Sequence, residues 1–137
     1  MTTFRSSLRP SLPPGPRRVL VVDDDDVARE AMVELLKLAG HEVMSLPSPI
    51  GATKAIINAS VDVVVLDVIM PSLRGDKLAL LLGRNPRLRH VGVVLITGGS
   101  TTELASVASK LGAAAIVQKS HMHSQLDRAV RRAGHVA

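Results

Sequence analysis

Residues 19–30 read VLVVDDDDVARE, four apolar β-formers running straight into four aspartates and then into a segment with helical spacing. So much negative charge at the end of an apolar strand has two explanations. Helix capping is one, because an Asp ahead of a helix accepts hydrogen bonds from its first N–H groups and favours the positive end of the helix dipole. A metal or phosphoryl site is the other, because carboxylates held together repel each other unless something cationic sits among them.

Outward from this stretch, apolar β-branched runs alternate with helix-like segments. RRVLVV (17–22), HEVMSL (41–46), VDVVVL (61–66), VGVVLIT (91–97) and AAIVQK (114–119) read as strands. DVAREAMVELLKLAG (26–40), IGATKAIINA (50–59), GDKLALLLGR (75–84), TELASVASKLG (102–112) and SQLDRAVRRAG (124–134) read as helices. Continuous apolar strands are buried on both faces, as in a parallel sheet covered by helices. The expected fold is therefore α/β, a three-layer sandwich with right-handed crossovers. In the first helix Val27, Ala31, Leu35 and Leu38 are expected to face the core, with Gly40 as C-cap and Arg29, Glu30, Glu34 and Lys37 toward water. In the last, Met122, Leu126, Ala129 and Val130 face inward and Arg128, Arg131 and Arg132 outward.

The 137 residues fit one domain. Hydrophobic residues make up 46% of the chain, yet Phe4 is its one Phe and it has no Trp or Tyr, which argues against a platform that stacks nucleic-acid bases. The net charge of +5 resides mostly in a tail: Arg5, Arg9, Arg17 and Arg18 occur with no acid among residues 1–18, and the rest is nearly neutral. Pro10, Pro13, Pro14 and Pro16 make residues 1–17 a disordered or polyproline arm and oppose an amphipathic targeting helix. There is no cysteine, no signal-peptide core and no apolar run of the roughly 20 residues that span a bilayer. The expectation is a soluble, cytoplasmic protein without a membrane partner.

Ligands of open α/β sheets bind beyond the carboxyl ends of the strands. Asp23–Asp26, Asp67, Thr97 and Lys119 would gather at that edge. Each pair among Asp23, Asp24 and Asp67 would repel by about 4 kcal/mol at an effective dielectric near 20, which calls for a divalent cation. All-oxygen ligands suit Mg²⁺. Asp67 could then act as nucleophile toward a phosphoryl group, with Lys119 and Thr97 stabilising its equatorial oxygens.

These residues carry a resemblance. The Asp pair after VLVV, Asp67 in DVIMP with Gly75 beyond it, Thr97 after VVLI and Lys119 after AAIVQ are similar, in order and spacing, to the receiver domain of two-component response regulators. The likeness covers about Arg18 to Gly134. It implies a flavodoxin-like (βα)₅ fold with a five-stranded parallel sheet of order 2-1-3-4-5. It also implies a phosphoacceptor that takes a phosphoryl group from a phosphohistidine on a sensor histidine kinase or histidine phosphotransfer protein. By that analogy Asp67 is the acceptor, Asp24 a direct Mg²⁺ ligand, Asp23 a ligand largely through water, and the Ile69 carbonyl a further ligand. Thr97 and Lys119 sense the phosphate, while Asp25 and Asp26 are left to capping. The chain would be a stand-alone receiver of residues 18–134, between the arm of residues 1–17 and a tail of residues 135–137. It would not be an enzyme in its own right, although it assists its own phosphoryl transfer and dephosphorylation. A downstream protein at the face of the fourth helix, fifth strand and fifth helix, and a second copy of the chain, complete the expected partners.

Ile116 stands where the family usually has an aromatic residue, so an aromatic flip cannot be the switch. Ser120 replaces the proline that commonly follows the lysine. Ile69 is apolar and is expected to slow hydrolysis of the phosphoryl group. The alternative is a phosphorylation-independent receiver-like scaffold. A small Asp-nucleophile hydrolase fails at Ile69, where its pattern needs a second Asp, and nucleic-acid binding would rest on the Arg tail alone. His121 and His123, two residues apart, face different ways on a helix, and Gly98 and Gly99 match no phosphate-loop pattern.

Overall fold

In the computed structural model, which describes residues 15–67, 84–99, 105, 108, 109 and 112–134, the five expected strands and the first, second and last expected helices are present. They are β1 (Arg18–Val22), α1 (Asp26–Leu38), β2 (Glu42–Leu46), α2 (Ala52–Ala59), β3 (Val63–Asp67), β4 (Gly92–Thr97), β5 (Ala115–Gln118) and α3 (Met122–Ala133). Single 3₁₀ turns at Pro86–Leu88 and Lys119–His121 precede β4 and α3. The five strands are parallel in the order β2-β1-β3-β4-β5. Most of the expected third and fourth helices, with Gly75, lies outside the described residues, as do Ile69, residues 1–14 of the arm and the tail.

Side chains alternate across the sheet because the strand period is two. Leu20, Val22, Val64, Leu66 and Leu95 pack on one face with Ala52 and Ile56 of α2. Val19, Val21, Val65, Val94 and Ile96 pack on the other with Met32 and Leu36 of α1 and Leu126, Ala129 and Val130 of α3. Both faces are covered, which is why β1 and β3 read as unbroken apolar runs.

The inward face of α1 differs from the expected one. Met32 and Leu36 are buried and the expected Leu35 packs partly buried against the core, whereas Val27 and Leu38 are 79% and 82% exposed. Val27 lies in the first turn and Leu38 in the last, on either side of the residues that pack on the sheet. Two arginines expected in water are instead tied down. Arg29 donates to the Asp23 carbonyl and pairs with Asp26, and Arg131 bonds Asp127 and the Ala39 carbonyl. The helix caps on Ala39, and Gly40 follows at φ +100°, the left-handed conformation that glycine adopts without a Cβ clash. Asp25 is the N-cap, its carboxylate accepting from the Val27 and Ala28 N–H groups.

At the amino edge α3 returns so close to the sheet that a Cβ on Gly92 would stand 2.1 Å from the Ala133 carbonyl oxygen. Buried His41 accepts from the Arg17 N–H at Nδ1 (2.9 Å) and meets Asp127 Oδ1 at Nε2 (2.7 Å). The accepting Nδ1 fixes the tautomer, so Nε2 carries the hydrogen donated to Asp127. Arg17 also donates to the Arg131 carbonyl, so this residue of the expected arm is bound to the domain.

Candidate functional site

Asp23 follows β1, Asp67 and Thr97 close β3 and β4, and Lys119 follows β5. The parallel registers bring these ends to one edge: Asp67 stands beside Ile96, Thr97 beside Gln118, and the Asp23 N–H donates to the Leu46 carbonyl. Asp23, Asp67 and Thr97 are buried, while Asp24 is exposed at the rim.

Each of Asp23, Asp24 and Asp67 offers a carboxylate oxygen within 4.8 Å of the others. Two unit negative charges no farther apart than that repel by about 3.5 kcal/mol or more at an effective dielectric near 20. Lys119 answers part of this: its Nζ is 2.9 Å from Asp67 Oδ2 and 3.3 Å from Asp23 Oδ2. Burial by itself would lower the Lys119 ammonium, but the hydrogen bond to Asp67 and the charges of Asp67 and Asp23 raise it above the ordinary lysine value. Among the described residues, one ammonium against three carboxylates leaves the cluster net negative.

Asp23 shows the remaining deficit. Burial raises its carboxyl above the ordinary aspartate value and the charge of Asp67 adds to this; the Asp25 N–H and the Lys119 charge only partly oppose it. Its Oδ1 accepts from the Asp25 N–H at 2.9 Å, and the Arg29 guanidinium holds its main-chain carbonyl at 2.8 Å. Its Oδ2 is buried and accepts no well-formed hydrogen bond, with the Lys119 ammonium 3.3 Å away and the Asp67 carboxylate close by. A buried carboxylate oxygen in that state is served by a cation. The residues present thus fit a hard divalent ion: all-oxygen donors, an excess of negative charge and one orphaned oxygen.

Thr97 Oγ1 accepts from the Gly99 N–H at 3.0 Å, and the Gly99 carbonyl accepts from Gln118 Nε2 at 3.1 Å. Neither Gln118 nor Arg29, the latter expected only to face water, stood out as a site residue. Arg29 has a weak signal, three residues after Asp26 on the first turn of a helix; Gln118 has none beyond its place next to Lys119. His121 and His123 are exposed. Among the described residues the acidic cluster of Asp23, Asp24 and Asp67 is the group able to hold a metal, and no helix is long and apolar enough to cross a membrane.

Comparison with known proteins agrees with this geometry. The chain is 36% identical over 113 residues to the transcriptional regulatory protein FixJ of Azorhizobium caulinodans, covering 82% of this chain and 53% of that one. It is 32% identical over 117 residues to the response regulator protein FleR of Pseudomonas aeruginosa, covering 85% and 24%. It therefore spans about half or less of the length of these relatives. The structure of the Thermotoga maritima response regulator TrrA in complex with Mg²⁺ and BeF superposes with a TM-score of 0.73 at 28% identity, over 85% of this chain and 97% of that one. The model of the response regulator receiver domain matches residues 19–131, and the chain belongs to that family.

Proposed function

We propose that the chain is a phosphoacceptor of a two-component relay and that Asp67 receives the phosphoryl group. The observation that carries this is the bond between Lys119 Nζ and Asp67 Oδ2 inside a cluster that stays net negative. An Asp67 oxygen attacks the phosphorus of a phosphohistidine on a sensor kinase or histidine phosphotransfer protein; the O–P bond forms as the P–N bond breaks, and the imidazole keeps the electron pair. Lys119 follows the negative charge from the carboxylate to a phosphoryl oxygen, and Thr97 donates its hydroxyl hydrogen to another. The ends of β3 and β4 and the turn after β5 bring acceptor, hydroxyl and ammonium to one edge of the sheet, and such positioning is most of what phosphoryl transfer asks of a protein. Asp23, Asp24 and Asp67, with the expected Ile69 carbonyl, would hold Mg²⁺, which when bound neutralises negative charge shared by the carboxylates and the phosphoryl oxygens. The Mg²⁺ and BeF in the similar TrrA structure support the assignment.

On this reading the receiver unit is residues 18–134, flanked by the arm and tail, in a cytoplasmic signalling protein whose output partner docks at the β5 and α3 face. Ile116 in place of an aromatic residue favours one second reading, a scaffold that signals by docking without phosphorylation. Intact mass after incubation with a small-molecule phosphodonor and Mg²⁺ separates the two. The expected result is one added phosphoryl group in the native protein, none in Asp67→Asn and none when the metal is chelated. Folded native protein that gains no mass overturns the proposal in favour of the scaffold.

A further inference from the structure

Gly99 is bonded on both sides of its backbone, by its N–H to Thr97 Oγ1 (3.0 Å) and by its carbonyl to Gln118 Nε2 (3.1 Å). Its lack of a side chain does not explain its position, since a Cβ there would meet nothing nearer than Thr97 Oγ1 at 3.8 Å. The site uses the two polar groups of residue 99. The orientation of the Gln118 amide follows from chemistry, because a carbonyl oxygen can only accept and so faces the NH₂ end. Thr97 and Gln118 are also direct neighbours in the β4–β5 register, and Gln118 immediately precedes Lys119.

From this chain of bonds we propose that Gln118 is a positioning residue for phosphoryl binding, holding the Gly99 peptide so that Gly99 in turn orients the Thr97 hydroxyl. The inference rests on the reading of Asp67 as phosphoacceptor. A hydroxyl that accepts from the Gly99 N–H keeps its own hydrogen to donate, and that bond restricts its rotation. Without the Gln118 bond the turn after β4 is held by one fewer tie, and the hydroxyl must be ordered when the phosphoryl group arrives. Because Gln118 adjoins Lys119, the same bond ties the two phosphoryl-sensing groups together across the β4–β5 boundary. This link does not need an aromatic residue at position 116.

The test uses beryllium fluoride with Mg²⁺ as a phosphoryl stand-in, titrated into the full chain and followed by the amide resonances of Thr97 and Gly99. Gln118→Ala removes the donor, Gln118→Glu puts an oxygen in its place, and Gln118→Lys restores an N–H donor. Gln118→Ala and Gln118→Glu should weaken beryllium fluoride binding by about 2- to 10-fold, the range of one hydrogen bond's net worth. Their Mg²⁺ affinity and thermal midpoints should match the native protein, and Gln118→Lys should bind close to native. Native-like binding by Gln118→Ala and Gln118→Glu overturns the positioning role and leaves the assignment of Asp67 intact. A loss of Mg²⁺ affinity in step with beryllium fluoride also overturns it, since that marks a general disturbance of the site. Failure of the native protein to bind beryllium fluoride removes the assignment of Asp67 and this inference with it.

Discussion

The two ends of the sheet use similar residues to opposite effect. At the carboxyl end Asp23 is buried with an orphaned Oδ2 and a carboxyl raised above the ordinary aspartate value. At the amino end Asp127 receives His41 Nε2 at 2.7 Å and Arg131 Nε at 2.9 Å on one oxygen. Burial pushes Asp127 upward, but those two bonds and the charge of Arg131 outweigh it, and the carboxyl lies below its ordinary value. An acid held below its usual range has its partners within the fold. One raised by burial and a like-charged neighbour, as Asp23 is beside Asp67, is under-compensated by its partners, and here that deficit marks the place for a cation.

The largest test of this contrast is removal of a partner at the satisfied end. His41→Ala leaves a cavity and strips the Arg17 N–H of its acceptor, and should destabilise the protein by about 2–4 kcal/mol in urea denaturation. Mg²⁺ affinity should stay unchanged, because His41 lies at the other end of the strands. A His41→Ala protein as stable as native would break the comparison, since the amino end would then contribute no clamp.

At the unsatisfied end the sign should reverse. Asp23→Asn removes a buried like charge while an amide oxygen can still accept from the Asp25 N–H, and should stabilise the metal-free protein by about 1 kcal/mol. The same variant should lose most of its Mg²⁺ affinity. A destabilised Asp23→Asn in chelator would mean that Lys119 already satisfies the cluster. Lys119→Met tests that pairing from the other side: removing the ammonium that competes for Asp23 and Asp67 should tighten Mg²⁺ binding a few-fold by calorimetry, whereas unchanged binding would show that Lys119 does not compete.

Much of the carboxyl end was legible in the chain, and little of the amino end. Asp23, Asp67, Thr97 and Lys119 each stand at the end of an apolar run, so a parallel sheet brings them together whatever the loops do. Capping by Asp25 was legible because it is a local event, decided within three residues. The inward face of α1 was misjudged because helical periodicity does not say where the helix crosses the sheet; Val27 and Leu38 fit the spacing but lie in its first and last turns. His41, Asp127 and Arg131 carry no shared motif, being 86 and 90 positions apart in register with His41. Their meeting depends on the path of α3 back to the amino edge, where Gly92 permits backbone contact with Ala133.

The smallest effect, and the sharpest contrast, lies in pH. Asp127 has a folded pKa below its unfolded value of about 3.8, so the stability it contributes is present above that value and is lost as pH falls through the folded one. Asp23 has a folded pKa above 3.8, so its contribution is fully present below the unfolded value and is lost as pH rises through the folded one. Acidifying metal-free protein from neutral should therefore first relieve the carboxyl end and only below about pH 3.8 release the clamp at the amino end. Asp23→Asn should remove the gain, and Asp127→Asn should soften the later loss; the half-exposed position of Asp127 keeps its part small. Saturating Mg²⁺ should abolish the gain as well, because the ion favours ionised Asp23 and binds more tightly as pH rises. Thermal midpoints of the three proteins across pH 3–7, with Mg²⁺ and with chelator, check all of these signs together. A gain on acidification that survives Asp23→Asn would assign it to another group and remove the unsatisfied acid as its cause.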